Sequence, residues 1–161
     1  MEIQIKETDI TAPPEHCFNA FVHEFGAWWP AAYTFARDNL KTIGLEARKG
    51  GDCYEINQQN ERLVWGTVEN FDLGRELAFR WQIGPERNLI ADPRQASLVH
   101  LRFVPALTPG HTDLHFLHTD FERHGQGAAQ YSASLGSEQG WPWLLQRFRA
   151  YATGQPLPEL G

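Results

Sequence analysis

The sequence is poor in several things that would each point to a class of protein. It has two cysteines and one methionine in 161 residues. Cys17 and Cys53 cannot build a disulfide framework, and their contexts, one helical and one in a strand, read as buried thiols in a reducing cytoplasm. Basic residues are short: 14 Lys and Arg against 20 Asp and Glu leave a net charge of −6. That argues against a nucleic-acid partner, which would require a basic face, and also against a polybasic membrane anchor. No apolar run approaches the roughly 20 residues of a spanning helix. The alternating N-terminus, Met1 to Glu7, reads as a strand and not as a signal peptide. Also missing are a nucleophile elbow, a phosphate loop and a dinucleotide fingerprint; Gly125-Gln126-Gly127 reads as a flexible connection. No cofactor is expected. What the chain has in excess is rings: six Trp, ten Phe and four Tyr.

Periodicity organises the chain as one domain over residues 1–154 with a loose Pro/Gly tail over 155–161. Residues 2–10 alternate as a strand. Pro13 and Pro14 suit a first helical turn, and Phe18, Phe21, Val22 and Phe25 follow at i, i+3, i+4 and i+7. Trp28-Trp29-Pro30 ends a second short turn. Strands are expected at 42–48, 52–58, 62–72, 76–83, 96–105 and 111–121, separated by Gly-rich and Pro-Gly turns, so the sheet should be an antiparallel meander. The last element carries an apolar stripe, Trp141, Leu144, Leu145, Phe148, Tyr151 and Ala152, in a helix expected to start near Glu138. Helices set against an antiparallel sheet make this an α+β chain.

The histidines invite a metal reading, which strand geometry opposes. His111 and His115 share a face but stand about 13 Å apart at ~3.3 Å per residue. His118 points the other way, so no metal site is expected here.

The element order resembles the SRPBCC (START-like, helix-grip) superfamily. The resemblance rests on Ile10-Thr11-Ala12-Pro13-Pro14-Glu15-His16-Cys17-Phe18, Gly50-Gly51, Trp65-Gly66-Thr67-Val68, Leu77-Ala78-Phe79-Arg80-Trp81, His118-Thr119-Asp120-Phe121 and Gly140-Trp141. Within the superfamily the chain is most similar to the heat-shock-protein ATPase-activator homologues, over about residues 3–152. The resemblance implies a curved antiparallel sheet gripping a long C-terminal helix around an apolar cavity, with two short helices closing one end. It also implies an acidic group at Glu55 and a histidine at His118.

Strand alternation assigns a lining to that cavity. Leu77, Phe79, Trp81 and Ile83 share one face of their strand, as do Val99, Leu101 and Phe103, and Leu114, Phe116 and His118. At 53–56 either Tyr54 and Ile56 or Cys53 and Glu55 face inward. Trp65 and Val68 have opposite parity, so both can face inward only through a bulge. The candidate ligand-binding residues are Phe21, Phe25, Trp28, Trp29, Tyr54, Val68, Phe79, Trp81, Leu101, Phe116, His118, Trp141, Leu145 and Phe148. The same rings could instead fill a core. Trp28 and Trp29 cannot both enter one core, so one should face a mouth or solvent.

His118 is either a satisfied buried histidine or a polar group that orients a ligand. With Glu55 it forms the only candidate catalytic pair. The expected activity is binding of a small apolar or aromatic ligand. The alternatives are a cavity-based cyclase, dehydratase or hydrolase using His118 and Glu55, and a co-chaperone-like interaction module. The module would use His100, Arg102, Asp113 and His115 on the outer sheet face, or the Trp28-Trp29 edge. A homodimer is compatible with the sequence.

Overall fold

The computed structural model describes residues 1–160; Gly161, the end of the expected tail, lies outside them. Seven antiparallel strands form one open, curved sheet: β1 (Ile3–Ile10), β2 (Leu40–Leu45), β3 (Asp52–Asn57), β4 (Arg62–Asp72), β5 (Glu76–Trp81), β6 (Ser97–Pro105) and β7 (Thr112–Thr119). Their order is β1-β7-β6-β5-β4-β3-β2. Strands β2 to β7 run as the expected meander. β1 pairs with the last strand, so the chain crosses from one edge of the sheet to the other between β1 and β2. Two short helices, α1 (Pro14–Val22) and α2 (Phe25–Trp28), make that crossing.

α4 (Trp141–Ala152) lies in the curve, with Trp141, Leu144, Leu145, Phe148 and Ala152 buried. It begins at Trp141, later than the spacing alone suggested. Pro142 has no N–H to give the ladder and fits only the first turn. Just before it, a Cβ on Gly140 would run into the backbone of Leu135. The chain therefore turns at Gly140 before the helix begins.

After Gly125-Gln126-Gly127 comes a helix that periodicity did not assign, α3 (Ala128–Leu135). The last strand is correspondingly shorter than expected. It ends at Thr119, Asp120 takes a left-handed conformation at φ 63°, and a 3-10 turn spans Phe121–His124.

The bulge required for Trp65 and Val68 is present. Across β3 and β4, Cys53 faces Gly66 and Tyr54 faces Val64, which leaves Trp65 as the extra residue. Both Trp65 and Val68 are buried as a result.

At β3 the open choice resolves in favour of Cys53 and Glu55, both buried. Tyr54 points to the other face, where the Arg62 guanidinium lies 4.6 Å over its ring. Its place in the expected lining is therefore corrected: the parity of β3 puts it outside. The alternation on β5, β6 and β7 holds as read, with Leu77, Phe79, Trp81, Val99, Leu101, Phe103, Leu114, Phe116 and His118 all buried.

Candidate functional site

The middle of the grip is closed by rings. Phe21 touches Trp28 at 4.9 Å and Phe148 at 5.4 Å between centroids, and Phe25 touches Trp28 at 4.8 Å. Phe103 adds edge contacts to Phe18 at 5.5 Å and to Phe148 at 6.2 Å. Most of these pairs meet edge to face, the arrangement ring quadrupoles favour. Phe21, Phe25, Trp28, Val68, Phe79, Leu101, Phe116, Leu145 and Phe148 are all buried in this cluster.

Open space lies at one end of the grip. There the end of β5, the start of α4 and helix α3 meet the turn after α2. Trp29, Trp81 and Trp141 form a triangle, with centroids 6.2, 5.4 and 5.7 Å apart. A pocket of about 240 Å³ adjoins them, completed by Tyr33, Ile83, Tyr131, Leu135, Gly140, Leu144 and polar rim residues. At roughly 30 Å³ per water it holds about eight waters, less than the roughly 300–1,000 Å³ of a drug-sized site. Against expectation, both adjacent indoles are buried in one cluster, 5.7 Å apart and edge to face; Trp28 donates to Ala20 O at 3.2 Å, and Trp29 also borders the pocket.

The polar atoms of the pocket wall are largely spoken for. Trp81 Nε1 donates to the Tyr131 hydroxyl at 2.7 Å, and that hydroxyl donates to Ile83 O at 2.7 Å. Burial pushes the Tyr131 phenol up to about 12. Tyr33 donates to Gln139 O at 2.7 Å. Tyr131 thus ties α3 to β5 and presents its ring to the pocket.

A second network runs behind Trp141, and it fixes two tautomers. Trp141 Nε1 lies 3.0 Å from His118 Nδ1. An indole can only donate, so His118 Nδ1 accepts and Nε2 carries the hydrogen. That hydrogen goes to Ser97 Oγ at 2.8 Å. Ser97 then donates to His124 Nε2 at 2.6 Å, which leaves the His124 hydrogen on Nδ1. His124 Nδ1 is buried and has no partner. Burial, helped by neighbouring His124, pushes His118 down to about 3, and burial alone lowers His124.

The expected pair of His118 and Glu55 does not converge. Both ring nitrogens of His118 are occupied. Glu55 accepts from Phe35 N at 3.0 Å and Ala36 N at 2.8 Å, so its carboxylate holds the 31–39 segment against β3. Their strands, β7 and β3, stand four spacings apart in the sheet, about 19 Å along it at ~4.8 Å each. Burial also raises the thiols of Cys17 and Cys53. Among the described residues, no group of three or more His, Cys, Asp or Glu is placed to hold a metal, and no helix is long and apolar enough to cross a membrane.

Tyr131 and Leu135 are absent from the expected lining because no element is assigned to residues 128–137 from periodicity. The signal was present but weak: Ala128, Tyr131, Ser132 and Leu135 follow at i, i+3, i+4 and i+7, a helical face half of which is small residues.

No protein-family model matches the sequence, and no curated protein matches it. Solved structures do. An anthrahydroquino-γ-pyrone synthase, Txn09, complexed with a molecule designated SUM, is 27% identical over 92% of this chain and 94% of its own, with a TM-score of 0.63. The chain folds as a helix-grip protein. MLL2253 from Mesorhizobium loti is 15% identical over 98% of this chain and 100% of its own, with a TM-score of 0.61. SSP2350 from Staphylococcus saprophyticus is 19% identical over 99% and 98%, with a TM-score of 0.63. These last two likenesses bear on the fold alone.

Proposed function

We propose that this chain is a member of the SRPBCC superfamily, akin to its ATPase-activator homologues, that binds a small aromatic molecule at the open end of the grip. The observation that carries this reading is the pocket of about 240 Å³ beside three indoles, Trp29, Trp81 and Trp141. The indole N–H groups of Trp81 and Trp141 are already bonded within the protein, so the walls offer mainly ring faces and edges. Such a surface recognises shape and apolar area, at about 25 cal/mol per Å² buried before the costs of association. The fused aromatic system in the name of the 27% identical synthase supports the same ligand class. The binding pocket is smaller and nearer the surface than a deep central cavity, and the residues that line it differ accordingly.

Fluorescence of N-phenyl-1-naphthylamine, an uncharged two-ring probe, tests the reading. Saturable one-to-one binding that weakens at least tenfold in Trp81→Ala supports it. An unresponsive probe, or one indifferent to Trp81, defeats it.

The synthase name of that neighbour also favours a second reading, in which the bound molecule is converted. Mass spectrometry of an aromatic γ-pyrone precursor incubated with the protein separates turnover from binding.

A further inference from the structure

Beside the indole pocket lies a larger, open one of about 1060 Å³, and the two share Arg87, Tyr131, Ser134 and Leu135. Its chemistry is different. The protein carries a net charge of −6, yet the charged residues on this wall are Arg87 and Arg123 against Glu86. The rest of its polar wall is mainly neutral amides such as Gln95 and Gln130.

The donors here are under-used. The Arg87 side chain makes one hydrogen bond, a long one of 3.4 Å to Thr34 O, and its guanidinium lies 5.2 Å over the Phe35 ring. A guanidinium offers five N–H donors in a planar fork that matches a carboxylate. Arg123 makes only peripheral contacts, 3.3 Å to Arg94 O and 3.7 Å to Asp120. Arg87 is moreover held at φ 58°, a conformation uncommon for a bulky residue, in a turn closed by Arg87 N to Gly84 O at 2.9 Å and Gly84 N to Asn88 O at 2.8 Å. That turn sets Arg87 at the junction of the two pockets.

From this we infer that the ligand is an aromatic acid: its ring lies against Trp29, Trp81 and Trp141, and its carboxylate or ionised phenol enters the polar pocket to meet Arg87, with Arg123 as a further donor. The inference rests on the aromatic-binding reading above and adds the charge and the orientation.

Calorimetric titration with 2-naphthoate and 2-naphthamide, alike in shape and different in charge, tests it. At low salt both should bind one to one, with the naphthoate at least tenfold tighter. That advantage should shrink as ionic strength rises. Arg87→Gln should bring the ratio of affinities close to one, and Arg123→Gln should reduce it less. Arg87 is exposed, so its variant should keep the fold, which circular dichroism checks. Equal affinities for the two compounds, or a ratio untouched by Arg87→Gln, overturn the acid assignment while leaving aromatic binding in place. Binding of neither overturns both.

Discussion

His118 sits between an indole donor and a serine acceptor with no solvent contact, and its imidazole stays neutral down to about pH 3. In the unfolded chain the same group takes a proton near pH 6.5. As pH falls below that value the unfolded state binds a proton that the folded state refuses, so stability is lost with acidity. The loss from this one group is about 2 kcal/mol between pH 7 and pH 5. Urea unfolding at the two values should show it. His118→Phe, which has no such proton to bind, should lose less over the same interval although it is less stable at pH 7. An equal loss in both proteins contradicts the neutral assignment. Tyr131 supports a second test at this scale. Tyr131→Phe leaves Trp81 Nε1 and Ile83 O without partners, and should lower the unfolding free energy by about 1–3 kcal/mol, readable in the same assay.

At the scale of elements, two joints decide where the walls stand. One is the bulge at Trp65, made possible by Gly66. A Cβ there would meet Arg80 O at 2.6 Å and the Cys53 Cβ at 3.0 Å. Gly66→Ala therefore forces the β4 ladder to move, and a destabilisation of about 1–3 kcal/mol is expected from thermal or urea unfolding. The other is Glu55, which fastens the segment leading into β2. Glu55→Gln turns one acceptor into a donor facing a backbone N–H. The expected cost is about 1–3 kcal/mol of stability, together with faster amide exchange at Phe35 and Ala36. Strand faces were legible in the sequence because period-2 alternation is local: Leu77-Phe79-Trp81 and Leu114-Phe116-His118 could be sorted without a partner strand. The stripe of α4 was legible for the same reason. Helix α3 was not, because Ala128 and Ser132 pack through smallness and leave little hydrophobic contrast. The partners of His118 were out of reach as well, since Ser97 and Trp141 come to it from distant segments.

For the whole molecule, the abundance of rings has two roles that composition alone could not separate. Those of α1, α2 and the middle of α4 fill the grip, while Trp29, Trp81 and Trp141 border its open end. The resemblance to helix-grip proteins gave the architecture, and packing decided how much of the interior stayed open. The acidic surface as a whole contrasts with the cation-bearing mouth, so an anionic ligand would find local attraction against an unfavourable net field.

The central claim is that these three indoles, where the core borders the pocket, meet a ligand, and that Trp28 does not. It is tested most directly by the indole N–H resonances in a nitrogen–proton correlation spectrum during titration with 2-naphthamide. The signals of Trp29, Trp81 and Trp141 are expected to shift and saturate together at one equivalent, while that of core-buried Trp28, bonded to Ala20 O, stays in place. A spectrum in which none of the three moves, or in which Trp28 moves as far as they do, contradicts it.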